Sequence, residues 1–391
     1  MLKFAREWLR RSDADVTREF SFARPLVLLQ SDDWGRVGVR DREGYEILRA
    51  SGIRLGEHPY DFYTFETAED LAALRDLLKK HRDSSGRSAC IVMNFLTANL
   101  DFQKMAENNY KQVVLLPLSQ GLPANWQRPH LFEAYRQGIA EGIFYPALHG
   151  LTHFCSRAVE YALSQNSERA ELLREFWAAG TPYIYWRMPW VGYEYHNPEK
   201  PNIGFLSAAT QEDLIRKAAA WFEGFFKIPP FSACAPGYRA NHDTQSAWAK
   251  CGVRVAQNGA GAPQPPSMGE NEVLNLYRTI DFEPSQRDLP IAKYMQLADD
   301  CFNHGMPAII SVHSINFHSS LKDYRTITLE SLDQFLSTLE AKYPNLLYVH
   351  DGDVYDLVTR GKFRTEHGRV SVEVKQKPEG LRRAARGATQ T

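Results

Sequence analysis

The sequence predicts an α/β fold, a barrel of parallel strands with helices outside it. Three observations carry that expectation. Apolar runs without alternation, such as Leu26-Val27-Leu28-Leu29 and Cys90-Ile91-Val92-Met93, suit strands covered on both faces. Stretches with helical spacing lie between them; over residues 69–81, Leu71, Leu74, Leu77 and Leu78 share one face. Several of the apolar runs open into polar residues at their carboxyl ends, where reactive groups gather in such sheets.

The first run ends in Asp32-Asp33, followed by Trp34 and Gly35. Adjacent carboxylates repel, so both stay ionised only beside a cation or strong donors. That makes Asp32 and Asp33 a candidate metal-and-base pair; a solvated turn is the plainer alternative. On an extended backbone the two side chains point in opposite directions, which would divide the two jobs between them. The run 144–148 opens into His149-Gly150-Leu151-Thr152-His153. If the chain turns into a helix there, both imidazoles fall on one face, and two histidines with one carboxylate leave coordination positions open for chemistry. A third run, 307–312, is capped by His313, a general acid or base, or else a core histidine held by a backbone hydrogen bond.

Elsewhere, residues 1–22 read as a short amphipathic helix and 41–66 as an aromatic loop over the strand ends. The strand near 90–95 ends at Asn94, which can bond a ligand or cap a loop. Helices are expected at 130–141, 158–178, 211–226, 242–250, 291–304 and 329–343, and strands at 230–236, 253–257 and 346–350. Residues 157–227 exceed what a minimal barrel needs. They include the aromatic segment 183–196 with Trp186 and Trp190, which suits the C–H faces of pyranose rings and equally suits a satellite core or an oligomer contact. The loop 259–269 is rich in Gly and Pro but lacks the rest of a dinucleotide fingerprint and the Lys-Ser/Thr of a phosphate loop. Residues 362–391 read as a basic, flexible tail.

Asp32-Asp33, His149-x-x-x-His153, Pro236-Gly237-Tyr238 and His313 occur in the order of the polysaccharide deacetylase family (carbohydrate esterase family 4, the NodB homology domain), which the chain resembles over roughly residues 23–360. The resemblance implies a distorted (β/α) barrel of the glycoside hydrolase/deacetylase type with about seven parallel strands. It implies hydrolytic deacylation of an amino sugar or glycoconjugate with a divalent metal, zinc being the expected one. It further implies Asp33, His149 and His153 as metal ligands, Asp32 as base and His313 as proton donor. Trp34, Asn94, Trp186, Trp190 and Tyr238 are the candidate substrate contacts, with a backbone N–H near Tyr238 for the oxyanion. Two departures stand out. Trp34 separates the Asp pair from Gly35, and Cys234 occupies the place of an Arg that orients the base, a bond Cys cannot make. Arg239 is taken as its replacement. Hydrolysis of a non-sugar amide at the same centre, or sugar binding without catalysis, are the alternative readings.

Composition narrows the setting. The chain has 391 residues, 43% hydrophobic and 24% charged, enough apolar material for a large core. A formal net charge of −1 gives no global attraction to nucleic acid or anionic membrane. Five dispersed cysteines without Cys-x-x-Cys suggest neither a disulfide framework nor a zinc ribbon. No run is long enough to span a membrane, and the charged N-terminus lacks the apolar core of a signal peptide. A cytoplasmic setting and a small or lipid-linked sugar are expected, with a homo-oligomer left open by the aromatic segment.

Overall fold

The computed structural model describes residues 18–198, 204–259, 263–269, 271–287 and 289–377. In chain order the strands are β1 (Arg18–Phe22), β2 (Leu26–Trp34), β3 (Ile91–Leu96), β4 (Ala98–Leu100), β5 (Leu115–Pro117), β6 (Phe144–Gly150), β7 (Ser232–Cys234) and β8 (Val255–Gly259). They continue with β9 (Ser267–Met268), β10 (Leu274–Arg278), β11 (Ile280–Asp281), β12 (Ala308–His313), β13 (Leu347–Tyr348), β14 (Lys362–Thr365), β15 (Gly368–Ser371) and β16 (Val374–Lys377).

The main parallel strands run in the order β12-β2-β3-β6-β7-β8-β10, in line with the roughly seven expected, with the two-residue strands β11 and β13 added in parallel to β12 and β2, and the sheet curls. Arg278 at the end of β10 pairs with Gly259 of β8, whereas two residues later Ile280 in β11 pairs with Ile310 of β12. One continuous segment therefore joins both edges of the curled sheet at the carboxyl ends of its strands. At the amino end, β9 pairs antiparallel with β10 and β1, and β1 pairs with β16.

Strand alternation sorts the side chains into two layers. Leu26 and Leu28 point inward and pack against Val92, Ala147, Val255, Leu276 and Ile309 from the other strands. Val27 and Leu29 point outward onto helical residues such as Leu71, Leu74, Leu332 and Phe335. All four residues of the run are fully buried, worth about 1.5–3 kcal/mol each over exposure, which is why this strand centres the sheet. The helices Ala68–Lys80, Leu131–Ala140, Ile291–Asn303 and Arg325–Lys342 supply that outer layer.

Several expected boundaries differ. Residues 41–66 are not all loop: Arg42–Ala50 is a helix burying Tyr45 and Leu48. The single helix expected at 158–178 is two, Ser156–Ser164 and Glu168–Ala178, parted where Asn166 takes a positive φ of 46°. Within the expected N-terminal helix, residues 18–22 are β1, and the remainder lies outside the described residues. The expected flexible tail begins as β14–β16, whose last strand joins the main sheet; residues 378–391 lie outside the described residues. No helix among the described residues is long and apolar enough to cross a membrane.

Candidate active site

At the end of β2 the ladder slips. Ser31 pairs with Met93 and Trp34 with Phe95, so three steps on β2 oppose two on β3, a bulge of the kind found beside active sites. Within it Asp33 takes a left-handed φ of 71°, a conformation that costs a non-glycine residue about 1 kcal/mol or more. The twist overturns the expectation of opposed side chains: Asp32 and Asp33 both line one cavity of about 230 Å³.

On the Asp33 side stand the two histidines. Asp33 Oδ1 lies 3.6 Å from His149 Nε2 and 3.4 Å from His153 Nε2. This oxygen is buried and accepts no hydrogen bond among the described residues. His149 Nδ1 donates to the Cys234 carbonyl at 2.9 Å, since a carbonyl can only accept, and this turns Nε2 toward Asp33. Burial drives the His153 imidazole down to about 3 against the pull of Asp33, leaving it neutral. A bare buried carboxylate oxygen facing the Nε2 atoms of two imidazoles fits a divalent cation. A second grouping, Asp32, His149 and Cys234, is less apt, because Asp32 and His149 Nδ1 already have partners and burial raises the Cys234 thiol.

The histidines are not on a helix. His149 is the next-to-last residue of β6 and His153 sits in the irregular segment before Ser156. That segment is held by buried Glu194, which accepts from the N–H groups of Leu151 at 3.0 Å and Thr152 at 3.1 Å. Gly150, at φ 136°, is required there, since a Cβ would fall 2.0 Å from Glu194 Oε2.

Asp32 has different company. Arg278 grips it through two bonds, Nη1 to Oδ2 at 2.6 Å and Nη2 to Oδ1 at 2.7 Å. Asn94 Nδ2 also donates to Oδ1, at 2.8 Å, and the Cys234 thiol is 3.9 Å from Oδ2. Burial would raise the Asp32 carboxyl, but Arg278 holds it well below the usual range. This corrects two expectations. Arg239 is exposed, near Tyr193 and His196, and makes no bond to Asp32; Arg278, from β10, fills that place. Asn94 is fully buried and spends its amide on Asp32 and Gln257, so it orients Asp32 and does not face the cavity. Below this pair, Gln30 and Gln257 each bond both Arg278 and buried Asp351.

His313 pairs across β12 from Asp32 and lines the same cavity. Its Nδ1 meets Glu283 Oε1 at 2.5 Å, which leaves Nε2 for the cavity. Burial would lower the imidazole, but Glu283 raises it to about 10. Glu283 is itself fixed by Asn316, 2.5 Å away.

The expected substrate contacts divide. Tyr238 lines the cavity and accepts from Arg278 at 2.9 Å, but its backbone N–H donates to the Ala235 carbonyl and is unavailable to an oxyanion. Trp186 lines the cavity and bonds Asp61 at 3.0 Å, tying the aromatic segment to the 56–61 loop. Tyr185 and Tyr193 stack beside it at 4.8 Å. Trp34 is 0% exposed and stacks on Phe317, so it is core. Trp190 packs on the core beneath Arg169 and is not part of the cavity wall. Sequence reasoning missed Arg36, Glu194, Arg278 and Glu283. A signal existed for one: Leu274 and Leu276 alternate inward, which places Arg278 inward as well.

No protein-family model and no curated protein sequence matches the chain. Solved structures do. One is a candidate polysaccharide deacetylase from Mycobacterium smegmatis, 11% identical over 86% of this chain and 91% of that one, TM-score 0.45. Another is a candidate glycoside hydrolase/deacetylase from Parabacteroides distasonis, 11% identical over 89% and 73%, TM-score 0.48. A third is a family 4 acetyl xylan esterase from Clostridium thermocellum in complex with a cobalt ion, 12% identical over 85% and 91%, TM-score 0.37. Polysaccharide deacetylases and family 4 esterases are what this chain is similar to.

Proposed function

We propose that the chain is a metal-dependent deacylase that hydrolyses the amide of an N-acylated amino sugar, an acetyl amide in the simplest case. The observation that supports this most is the bare Asp33 Oδ1 facing the Nε2 atoms of His149 and His153, with an ionised and separately anchored Asp32 beside it. Asp33, His149 and His153 would hold a divalent cation, zinc by the nature of the donors, and its chemistry would be Lewis-acid polarisation of the acyl carbonyl. Asp32 takes the proton of the attacking water, most readily on Oδ2, whose second contact is only the weak Cys234 donor at 3.9 Å. His313 is charged at neutral pH and delivers its Nε2 proton to the departing nitrogen, a poor leaving group unless protonated. Trp186 and Tyr185 offer ring faces to the C–H surface of the sugar.

The test is metal analysis followed by acetate release from N-acetylated amino sugars. Near-stoichiometric zinc is expected, with acetate release that stops on chelation and returns with metal. Absence of acetate from every amide offered, or full release in chelator, would sink the reading.

A further inference from the structure

Building on the deacylase reading of this cavity, we propose that Arg36 selects the substrate by binding an anion. The N-acyl compound then carries a carboxylate or phosphate close to its scissile amide, and the Arg36 guanidinium holds it.

Arg36 lines the cavity beside Asp33 and is 6% exposed. Its donors are mostly idle. A guanidinium has five N–H groups, and among the described residues Arg36 makes one side-chain hydrogen bond, Nη1 to Asp33 Oδ2 at 3.1 Å. Its Nε is buried without a partner. Arg278, equally buried, bonds Gln30, Asp32, Gln257, Tyr238 and Ser311. Buried arginines are normally saturated in that way, because an unpaired buried donor costs free energy. An arginine left open on a cavity wall is one whose partner arrives from outside.

The charge balance points the same way. Arg278 answers Asp32, and His313 answers Glu283. Asp33 alone remains to face both Arg36 and a divalent cation, and one carboxylate cannot neutralise both. The loaded cavity therefore carries surplus positive charge. Arg36 is its one Arg or Lys, and burial lowers the nearby His58 toward the neutral form.

The guanidinium is also held in place. Tyr63 and Tyr183 have their ring centres 4.8 and 5.0 Å from its carbon. The Tyr63 hydroxyl donates to the backbone carbonyls of Asp33 and Arg36, locking ring and turn together. Such ring contacts orient the group without consuming N–H donors, so the planar fork stays ready for a carboxylate or phosphate. At about 230 Å³ the cavity is smaller than the roughly 300–1,000 Å³ of sites for drug-sized ligands, so anion and amide must belong to one compact unit.

The experiment compares N-acetylglucosamine with N-acetylmuramic acid and N-acetylglucosamine 6-phosphate on zinc-loaded protein, beside titration of wild type and Arg36→Gln with acetate, inorganic phosphate and neutral acetamide. One anionic sugar should exceed the neutral one in kcat/KM by about 10-fold or more, the scale of a charged hydrogen bond, and which one it is tells carboxylate from phosphate. In Arg36→Gln the preference should collapse toward parity with zinc content unchanged, and Arg36→Lys should fall between. The matching anion should bind wild type and not Arg36→Gln, while acetamide does not distinguish them. Should Arg36→Gln fail to fold, Arg36→Lys, which keeps the charge but loses the planar fork, must still lower the preference for the anionic sugar. Anion binding without turnover of any sugar would keep the anion site and remove the deacylase reading. A neutral sugar turned over as well as both anionic ones, or an anion preference that survives Arg36→Gln, overturns the proposal.

Discussion

Asp32 and Asp33 are neighbours in the chain, and each meets a buried arginine, yet the two arginines are used differently. Arg278 grips Asp32 with two bonds and spends its other donors on Gln30, Gln257, Tyr238 and Ser311. Arg36 makes one bond to Asp33, which keeps a bare oxygen for something else. Within this pair the arginine whose donors are filled anchors a carboxylate, and the arginine left short of partners faces the cavity.

The strongest blow to this contrast falls on the open side. In His149→Ala/His153→Ala, bound zinc measured by mass spectrometry should drop from near one per chain to background; full occupancy would remove the metal assignment. Asp32→Asn should keep zinc and lose deacylation by about 10² to 10⁴, the scale of a positioned general base. Normal turnover in that variant would mean another group is the base.

The arginines can be set against each other by stability. Arg278→Gln strands a buried carboxylate, so urea unfolding should show a loss of about 3–5 kcal/mol whether or not zinc is present. Arg36→Gln should destabilise the metal-free protein and matter far less once zinc answers Asp33. Equal losses in both variants, unaffected by zinc, would erase the distinction.

Glu283→Gln sharpens the account of the acid. Glu283 raises His313 from 6.5 to about 10, so the stabilisation from the pair is complete below pH 6.5 and is lost as pH rises through about 10. The variant should remove that dependence and move the alkaline limb of kcat/KM downward. An unmoved limb would assign it to a different group. The smallest effect expected is at the rim: Trp186→Ala should raise KM roughly fivefold, about 1 kcal/mol of ring contact, while Trp190→Ala should leave KM unchanged and affect stability alone.

What could be read from the chain was what neighbouring residues determine. Leu26 to Leu29 announce a doubly covered strand, and the polar ends of β2, β6 and β12 announce a reactive rim, because side-chain period and solvent exclusion act locally. Asp32, Asp33, His149, His153 and His313 do meet in one cavity. What escaped depends on distant meetings or rare backbone states. Arg278 is 246 residues from Asp32, and nothing near Cys234 indicates that the cation arrives from another strand. The left-handed turn at Asp33 could not be foreseen either, since it is set by the bulge against β3. Trp34 and Trp190 misled because aromatic residues serve cores as readily as ligands.

The strand that carries Arg278 is also the one that changes neighbours, pairing with β8 up to Arg278 and with β12 from Ile280. Completing the curl and delivering the partner of Asp32 are therefore a single event. A chain that has not sealed this seam has no anchored Asp32, so on the proposed mechanism partly folded molecules should not turn over substrate. Breathing at Thr279 in the folded protein should flicker the site off without unfolding the rest, and the exchange rate of the Thr279 amide, which donates to the Ile309 carbonyl, reports the fraction of time it is assembled.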